Sequence, residues 1–233
     1  MLALKRKLVA FSRPTGGHQP SRHRQPGAIS PNQTTRKPDL SHSVLDFLLS
    51  RRSAPIDEMT GPGPSDDEIA TMLKVATRVP DHGRLAPWRF ILYRGDSRVK
   101  VGEKLAELAE RREGPLPELR LEKERTRFSR APLVIGVVSV PQDNPKIPRW
   151  EMLLSGAAAA MNLTLAANAL GYRTNWITNW YSEDAEGRRI LGLAPHESVV
   201  GFIHIGRYEG ELADRPRPDP AVLTSDYAGP WEG

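Results

Sequence analysis

Cationic and hydroxyl side chains stand at the ends of the regular elements that the sequence predicts, where a scaffold can aim them at one ligand. They are Arg51, Arg52, Ser53, Arg78, His82, Arg84 and Arg207, accompanied by Trp88, Trp176 and Thr178. Guanidinium groups bind phosphate oxygens through paired hydrogen bonds, and a hydroxyl can add one more. These residue types therefore favour a phosphate-bearing ligand.

Residues that commonly act as nucleophiles or metal ligands lack the spacing that such roles need. The chain has no cysteine, and the histidines of the body, His82, His196 and His204, are scattered along it. Neither a G-x-G-x-x-G nor a G-x-x-x-x-G-K-[ST] pattern follows a predicted strand. We therefore expect no metal site and no protein nucleophile, and we expect a bound cofactor to supply the chemistry.

The loop over 78–90 holds the densest group of these residues, between a predicted helix and a predicted strand. One interpretation is a solvated turn formed by Pro and Gly, with Trp88 as an ordinary core residue. The other is a ligand-binding loop that presents Arg78 and His82. The local pattern alone leaves both open.

The net charge of +5 arises in the N-terminal part of the chain. Residues 1–40 contain eight Lys or Arg and one acidic residue, and the remainder has a net charge of −2. Apolar residues are sparse after Phe11, so we predict a disordered basic extension over 1–40. A bacterial extension, a misplaced start codon, a transit peptide and an RNA-binding arm remain open for it. The near-neutral body gives no reason to expect nucleic acid.

Hydrophobic periodicity predicts alternating helices and strands in the body, which is long enough for one domain or two small ones. Helices are predicted over about 43–53, 65–77, 97–112, 150–170 and 183–191, and strands over about 89–93, 133–140, 172–177 and 198–206. Ser65 and Glu68 match the S-x-x-E capping box. The helix after Ser43 has a wide apolar stripe that we expect to be buried. Residues 113–130 are dense in charge, which predicts a solvated, mobile connection or lid with some helix.

The helix over 150–170 is apolar almost all round. It is therefore either central to a core or packed against a second copy of itself. Gly156 and Ala157–Ala160 allow close helix approach, which suits a symmetric dimer. Uninterrupted apolar runs, such as 133–138, are shorter than the roughly 18 residues of a membrane-spanning helix.

Several short motifs occur in a specific order. They are Arg51-Arg52-Ser53, Ala76-Thr-Arg-Val-Pro-Asp-His82, Ala86-Pro87-Trp88-Arg89-Phe90, Arg130-Ala131-Pro132, Pro148-Arg149-Trp150-Glu151, Gly171-Tyr172 and Val200-Gly201-Phe202. Together they resemble the nitroreductase family of flavin enzymes, in particular its short bacterial YdjA-like branch. The resemblance covers about 43–222 and leaves out 1–40.

The resemblance implies an α+β, three-layer fold with a central mixed sheet between helices, assembled as a domain-sharing homodimer. Two FMN sites would be shared between the subunits. Residues 41–225 would form the FMN-binding domain, and 226–233 a C-terminal tail. The segment over 208–225 would extend the partner's sheet.

The resemblance also implies which residues hold FMN. The implied set is Arg51, Arg52, Ser53, Arg78, His82, Trp176, Ile177, Thr178 and Arg207. Residues 51–53 of one subunit would bind the phosphate and ribityl oxygens, and Arg78 and His82 would come from the other subunit. Residues 176–178 would flank the site, and Arg207 would be a second phosphate ligand.

The reaction implied by the resemblance passes two electrons from NAD(P)H, through FMN, to a nitro group, a quinone or a similar conjugated acceptor. No catalytic side chain is obligatory, because the flavin carries the chemistry. Three positions depart from the family pattern: Ala86 replaces Gln, Ile177 replaces Arg, and Arg84 replaces a small polar residue. The first two changes remove expected hydrogen bonds to FMN, and we hypothesise that Arg84 compensates for one of them.

Two alternatives accompany this prediction of an enzyme. One is a flavin-binding regulatory protein without turnover, and the other is a nucleic-acid-associated protein that acts through 1–40. We expect a cytoplasmic protein, because a chain without cysteine needs no disulfide and is compatible with a reducing compartment. We expect a small-molecule acceptor and neither a membrane nor a nucleic-acid partner.

Overall fold

Six α-helices and four β-strands lie within residues 43–231, the part of the chain that the computed structural model describes. The helices are α1 (Ser43–Ser50), α2 (Asp66–Ala76), α3 (Asp96–Glu113), α4 (Glu118–Arg125), α5 (Arg149–Ala169) and α6 (Ala185–Ile190). The strands are β1 (Trp88–Tyr93), β2 (Leu133–Ser139), β3 (Arg173–Ile177) and β4 (Ser198–Gly206). The predicted elements are thus confirmed with small shifts of their ends. The predictions for 1–40 lie outside the described residues.

The four strands form one sheet in the order β1-β2-β4-β3, and each neighbouring pair is antiparallel. A parallel pairing occurs at one isolated bridge, between Ser53, which lies outside these strands, and Thr174. Among the described residues, the sheet is therefore mixed only through that bridge. A register shift between Val137 and Val138 of β2 leaves Val200 of β4 as an extra residue. This bulge bends β4 next to the end of β3.

Helices cover both faces of the sheet, and each face has its own apolar core. On one face α2 and α5 pack against β2 and β4, around residues such as Met72, Leu163 and Ile203. On the other face α3 packs with the aromatic residues Phe128 and Tyr181. The predicted three-layer α+β architecture is confirmed.

Helix α5 packs one side against this core and exposes the other. Leu163 and Ala167 are fully buried, whereas Trp150 and Leu154 are 63% and 58% exposed. Among the described residues, α5 is long and apolar enough to cross a membrane by length and composition alone. Core helices of soluble proteins pass the same test, and half of its apolar window is buried inside this fold.

The apolar stripe of α1 is not buried. Leu45, Leu48 and Leu49 are 59%, 45% and 74% exposed, so the prediction of a buried stripe is wrong for the single chain. A periodic stripe reports that a helix has an apolar face, but it does not report whether the covering surface belongs to the same chain.

The charged segment 113–130 is more ordered than predicted. It contains α4, and Glu124 and Phe128 are fully buried. Glu124 accepts hydrogen bonds from Arg127 Nη2 at 2.8 Å and from Trp180 Nε1 at 3.2 Å. Burial raises the pKa of Glu124, but the hydrogen bonds and charge of Arg127, together with Trp180 and Arg120, outweigh it, so the pKa is lowered overall. The prediction of a solvated connection is therefore wrong here, because the charges are paired inside the fold.

Candidate functional site

Four arginines meet at one small cavity. Arg51, Arg52 and Ser53 line it together with Ala213, Arg215 and Arg217 of the C-terminal segment. Its volume is about 120 Å³, well below the roughly 300–1,000 Å³ of pockets that bury a whole drug-sized ligand. The cavity therefore suits one small anionic group and not an entire cofactor.

The segment after α1 is held at the free edge of β3. Ser53 forms its parallel bridge with Thr174, and Ala54 N donates to Thr174 O at 3.1 Å. Asn175 Nδ2 donates to Ala54 O at 2.8 Å. These bonds fix the backbone next to Arg51 and Arg52, so the two guanidiniums are attached to a rigid sheet edge.

The charges around the cavity are only partly balanced. Burial and the nearby guanidinium of Arg217 lower the pKa of Arg51, and Arg52 and Arg215 lower it further. Asp214 offsets some of this repulsion, since it pairs with Arg52 at 2.5 Å and with Arg217 at 3.4 Å. A bound phosphate would relieve the remaining repulsion.

Arg215 and Arg217 were missed by the sequence analysis. They lie in the run Arg215-Pro-Arg217-Pro-Asp-Pro220, which resembles a simple proline-rich tail. A signal was nevertheless present, because alternate residues of an extended chain point to the same side. Two arginines separated by one proline can therefore face one anion.

A second cavity, of about 500 Å³, lies between the 80–87 loop and the N-terminal half of α5. Its lining residues are Pro80, Asp81, His82, Pro87, Ile147, Glu151, Met152, Leu154, Ser155 and Ala158. It shares no lining residue with the arginine cavity. Its volume falls within the range of pockets for small organic ligands. At this cavity His82 Nδ1 lies 2.7 Å from Glu151 Oε1.

The 80–87 loop is tightly turned. Arg84 and Ala86 have φ values of 55° and 45°, a left-handed conformation that is unfavourable for both residue types. The carboxylate of Asp81 stabilises this turn by accepting from Leu85 N at 3.0 Å and from Ala86 N at 2.9 Å. Strained backbone of this kind is concentrated at functional sites.

Arg78 lies just after α2 and has an exposed side chain. Its carbonyl accepts from Asn162 Nδ2 at 2.9 Å. The guanidinium makes no hydrogen bond or ion pair with any other residue of the described part of the chain, so it is available to a ligand or to a second subunit.

The three predicted site residues at 176–178 have different surroundings. The Trp176 indole lies over Gly201, and its Nε1 donates to the bulge carbonyl of Val200 at 3.3 Å. Ile177 packs against the aromatic core, whereas Thr178 is exposed. Trp176 and Thr178 are thus accessible at the end of β3.

Arg207 does not line the arginine cavity. Its Nη1 donates to Gly171 O at 3.1 Å, and its guanidinium lies 4.0 Å from the centre of the Tyr172 ring. These contacts hold Arg207 against the turn that follows α5. The described contacts do not place the Arg207 guanidinium at the arginine cavity, and its predicted phosphate contact stays a prediction.

No group of three or more His, Cys, Asp or Glu is arranged to hold a metal ion within residues 43–231. The polar groups that line the two cavities described above include the four arginines and the His82–Glu151 pair. The arrangement can therefore bind an anion at one cavity and an organic group at the other.

Comparison with known proteins shows which family the chain resembles. Residues 59–207 match the profile described as "Nitroreductase family". The chain is 31% identical over 182 residues to the Escherichia coli protein YdjA, whose name assigns it provisionally as an NAD(P)H nitroreductase. That match covers 77% of this chain and 97% of YdjA. A Haemophilus influenzae protein with the same provisional assignment is 34% identical and covers 70% of this chain and 87% of its own.

Solved structures show the same fold. A nitroreductase-like protein from Bacillus cereus superposes with a TM-score of 0.68 at 23% identity, covering 81% of this chain and 98% of that one. A Bacteroides fragilis nitroreductase with bound FMN superposes with a TM-score of 0.61 at 21% identity, covering 80% of this chain and all of that one (100%).

The profile match spans more than half of the chain, and the matched YdjA relative is aligned over nearly its whole length. The chain therefore belongs to the nitroreductase family, a family of oxidoreductases.

Proposed function

We propose that this protein is an FMN-dependent oxidoreductase that passes two electrons from NAD(P)H to a nitro, quinone or similar conjugated acceptor. The observation that carries the proposal is the cavity lined by Arg51, Arg52, Arg215 and Arg217. A cavity of about 120 Å³ with four guanidiniums fits a phosphate group. The name of the related Escherichia coli protein includes NAD(P)H, and the Bacteroides fragilis structure contains bound FMN. Both support these two cofactors for this protein.

In this proposal the arginine cavity holds the FMN phosphate. Arg51 and Arg217 would donate to phosphate oxygens, and Ser53 would donate to a phosphate or ribityl oxygen. Arg52 would remain partly committed to Asp214, with which it pairs at 2.5 Å. When bound, FMN would supply the hydride and electron chemistry, and the protein would orient it and limit access of water.

The rest of the FMN site would come from a second subunit. Exposed apolar side chains on α1 and α5, including Leu49 at 74% and Trp150 at 63%, favour a buried interface between two copies. Arg78 and His82 of the second subunit would then reach FMN held by the first. This arrangement would explain why the arginine cavity and the His82 cavity of a single chain share no lining residue.

The acceptor would bind near the larger cavity, whose lining is mainly apolar apart from Asp81, His82, Glu151 and Ser155. Ala86 has a φ of 45° and an exposed, short side chain, so it offers FMN only backbone groups. Ile177 packs against the aromatic core and has no polar group, so it cannot supply the lost hydrogen bond. Arg84 has an exposed side chain and is the residue that we propose to compensate.

Spectra and turnover of the purified full-length protein test the proposal. We expect a yellow protein, or one that becomes yellow with added FMN, whose visible absorbance is bleached by NADH or NADPH and restored by a quinone or nitroaromatic compound. Protein that takes up no FMN would exclude the proposed cofactor. Protein that binds FMN but leaves NAD(P)H unoxidised with every acceptor would instead support the regulatory alternative. A cytoplasmic location stays a prediction.

A further inference from the structure

The side chains of His82 and Glu151 form a direct contact across the larger cavity. His82 Nδ1 lies 2.7 Å from Glu151 Oε1, and the two side chains are 59% and 34% exposed. The two residues are far apart in sequence, and nothing in the family resemblance assigns a role to Glu151. The pair therefore joins a predicted cofactor residue to a residue without an assigned function.

Glu151 belongs to a polar stripe on α5. Glu151, Ser155 and Asn162 lie on one face of the helix, because their spacings of four and seven residues return to the same side. Ser155 Oγ donates to Pro80 O at 2.7 Å and accepts from Trp88 Nε1 at 3.1 Å.

Asn162 completes the stripe by donating to Arg78 O at 2.9 Å and to Val75 O at 3.3 Å. The backbone path of the loop is thus fixed by Ser155 and Asn162, and by the Asp81 carboxylate within the loop. Among the three stripe residues, only Glu151 contacts the imidazole of His82. Its effect is therefore on the ring and not on the course of the chain.

The chemistry of the pair determines which nitrogen of His82 remains available. A carboxylate oxygen only accepts hydrogen bonds, so Nδ1 must carry the proton in this contact. Nε2 is then the nitrogen left for a ligand. This holds for the neutral ring and for the imidazolium.

We propose that Glu151 is a positioning residue of the FMN site, which fixes the ring of His82 in its Nδ1–H form and presents Nε2 to FMN. The inference rests on the proposed function, because it takes FMN as the ligand of His82. A histidine that is oriented in advance loses less entropy on binding.

A double-mutant cycle on FMN binding tests the inference. Flavin fluorescence titration would compare the wild type with Glu151→Ala, Glu151→Gln, His82→Ala and the double variant Glu151→Ala/His82→Ala. We expect Glu151→Ala to weaken FMN binding about tenfold, as for the loss of one hydrogen bond. Glu151→Gln should bind nearly as the wild type does, since its amide oxygen also accepts from Nδ1–H. The double variant should match His82→Ala.

Nitrogen-15 NMR of labelled histidine gives a readout without cofactor. The chain has six histidines, and the His82 signals are identified by their loss in His82→Ala. We expect the Nδ1–H pattern in the wild type and in Glu151→Gln. In Glu151→Ala the ring should shift toward the Nε2–H form of a solvated histidine.

Asp143→Ala is the matched control, because it removes another carboxylate near this end of α5. Asp143 is 93% exposed and pairs with Arg149 at 2.8 Å. It should change neither the FMN affinity nor the His82 signals.

The outcomes separate the inference from the proposed function. If the wild type binds FMN and Glu151→Ala binds it equally well, the inference fails and the proposed function stands. Additive effects of the two single variants, or unchanged His82 signals in Glu151→Ala, would also overturn it. If the wild type binds no FMN, the proposed function itself fails. Circular dichroism confirms folding. Should Glu151→Ala not fold, the His82 signals of the wild type keep the test decisive, because an Nε2–H pattern there would overturn the inference.

Discussion

Arg51, just after the first helix, and Arg217, in the C-terminal segment, line the same small cavity, where burial and the positive charge of Arg217 lower the pKa of Arg51. Folding thus brings like charges together without a full set of protein counterions. Such a concentration of charge costs stability unless an anion compensates for it. The arrangement is understandable as a preformed phosphate site.

Removing one of these arginines should weaken the cofactor more than the fold. We expect Arg51→Ala and Arg217→Ala each to weaken FMN binding about 10- to 100-fold, since each loses a charge-assisted hydrogen bond. Flavin fluorescence titration measures this effect. Without FMN, neither variant should unfold at a lower temperature, because repulsion is relieved and no core packing is lost.

Arg189→Ala serves as the control for these variants, because Arg189 is 75% exposed and lies on α6. It should leave FMN binding unchanged. Full flavin content in Arg51→Ala would show that the phosphate is held elsewhere.

The exposed apolar faces of α1 and α5 should form the dimer interface. We expect Leu49→Glu and Leu153→Glu to convert a dimer into monomers and to release FMN at the same time, because a buried charge is costly and the site needs both subunits. Sedimentation velocity and flavin content provide the measurements. Leu119→Glu is the matched control, since Leu119 is also highly exposed, at 71%, but lies on α4. A dimer that persists in both interface variants would contradict the proposed assembly.

Much of the fold could be predicted from local patterns. Ser65 caps α2 as its spacing with Glu68 predicts, with Glu68 N donating to Ser65 Oγ at 3.3 Å. The continuous apolar run of β2 corresponds to a fully buried strand. These features were predictable because the residues that fix them are neighbours in sequence. The burial of Glu124 was not, because its partner Trp180 lies far along the chain.

The candidate site was only half predictable for the same reason. Residues 51–53 were identified by their position at a helix end and by the family resemblance. Arg215 and Arg217 were missed, because a proline-rich segment has no periodic signal and its partners become visible only when the chain folds back. The contact between His82 and Glu151 likewise depends on tertiary structure.

Gly201 is required by the position of the Trp176 indole. A Cβ at residue 201 would overlap the indole ring. We expect Gly201→Ala to displace Trp176 from the end of β3 and to lower the free energy of unfolding by about 1–3 kcal/mol, as for overpacking. Urea unfolding gives the energy. The double variant Gly201→Ala/Trp176→Ala should be as stable as Trp176→Ala alone, and an equal loss in both backgrounds would show that the indole is not the cause.

His204 should make the fold sensitive to mild acid. It is fully buried in β4, and its Nε2 lies 3.1 Å from Arg127 O. Burial lowers the pKa of His204 from 6.5 to about 4, and the nearby charge of Arg130 adds to the effect. The unfolded chain therefore binds this proton at a higher pH than the folded chain does. Stability is full above about pH 6.5 and is lost as the pH falls toward 4.

His204→Gln should remove this dependence, because a glutamine amide can still donate to the Arg127 carbonyl but does not titrate. Between about pH 6.5 and 5, above the range in which most carboxylates titrate, the wild type should lose up to about 1.4 kcal/mol of unfolding free energy per pH unit. The variant, although less stable at pH 7, should lose clearly less over that interval. Urea unfolding curves at several pH values give both slopes. Equal slopes in the two proteins would show that another group controls the acid sensitivity of the fold.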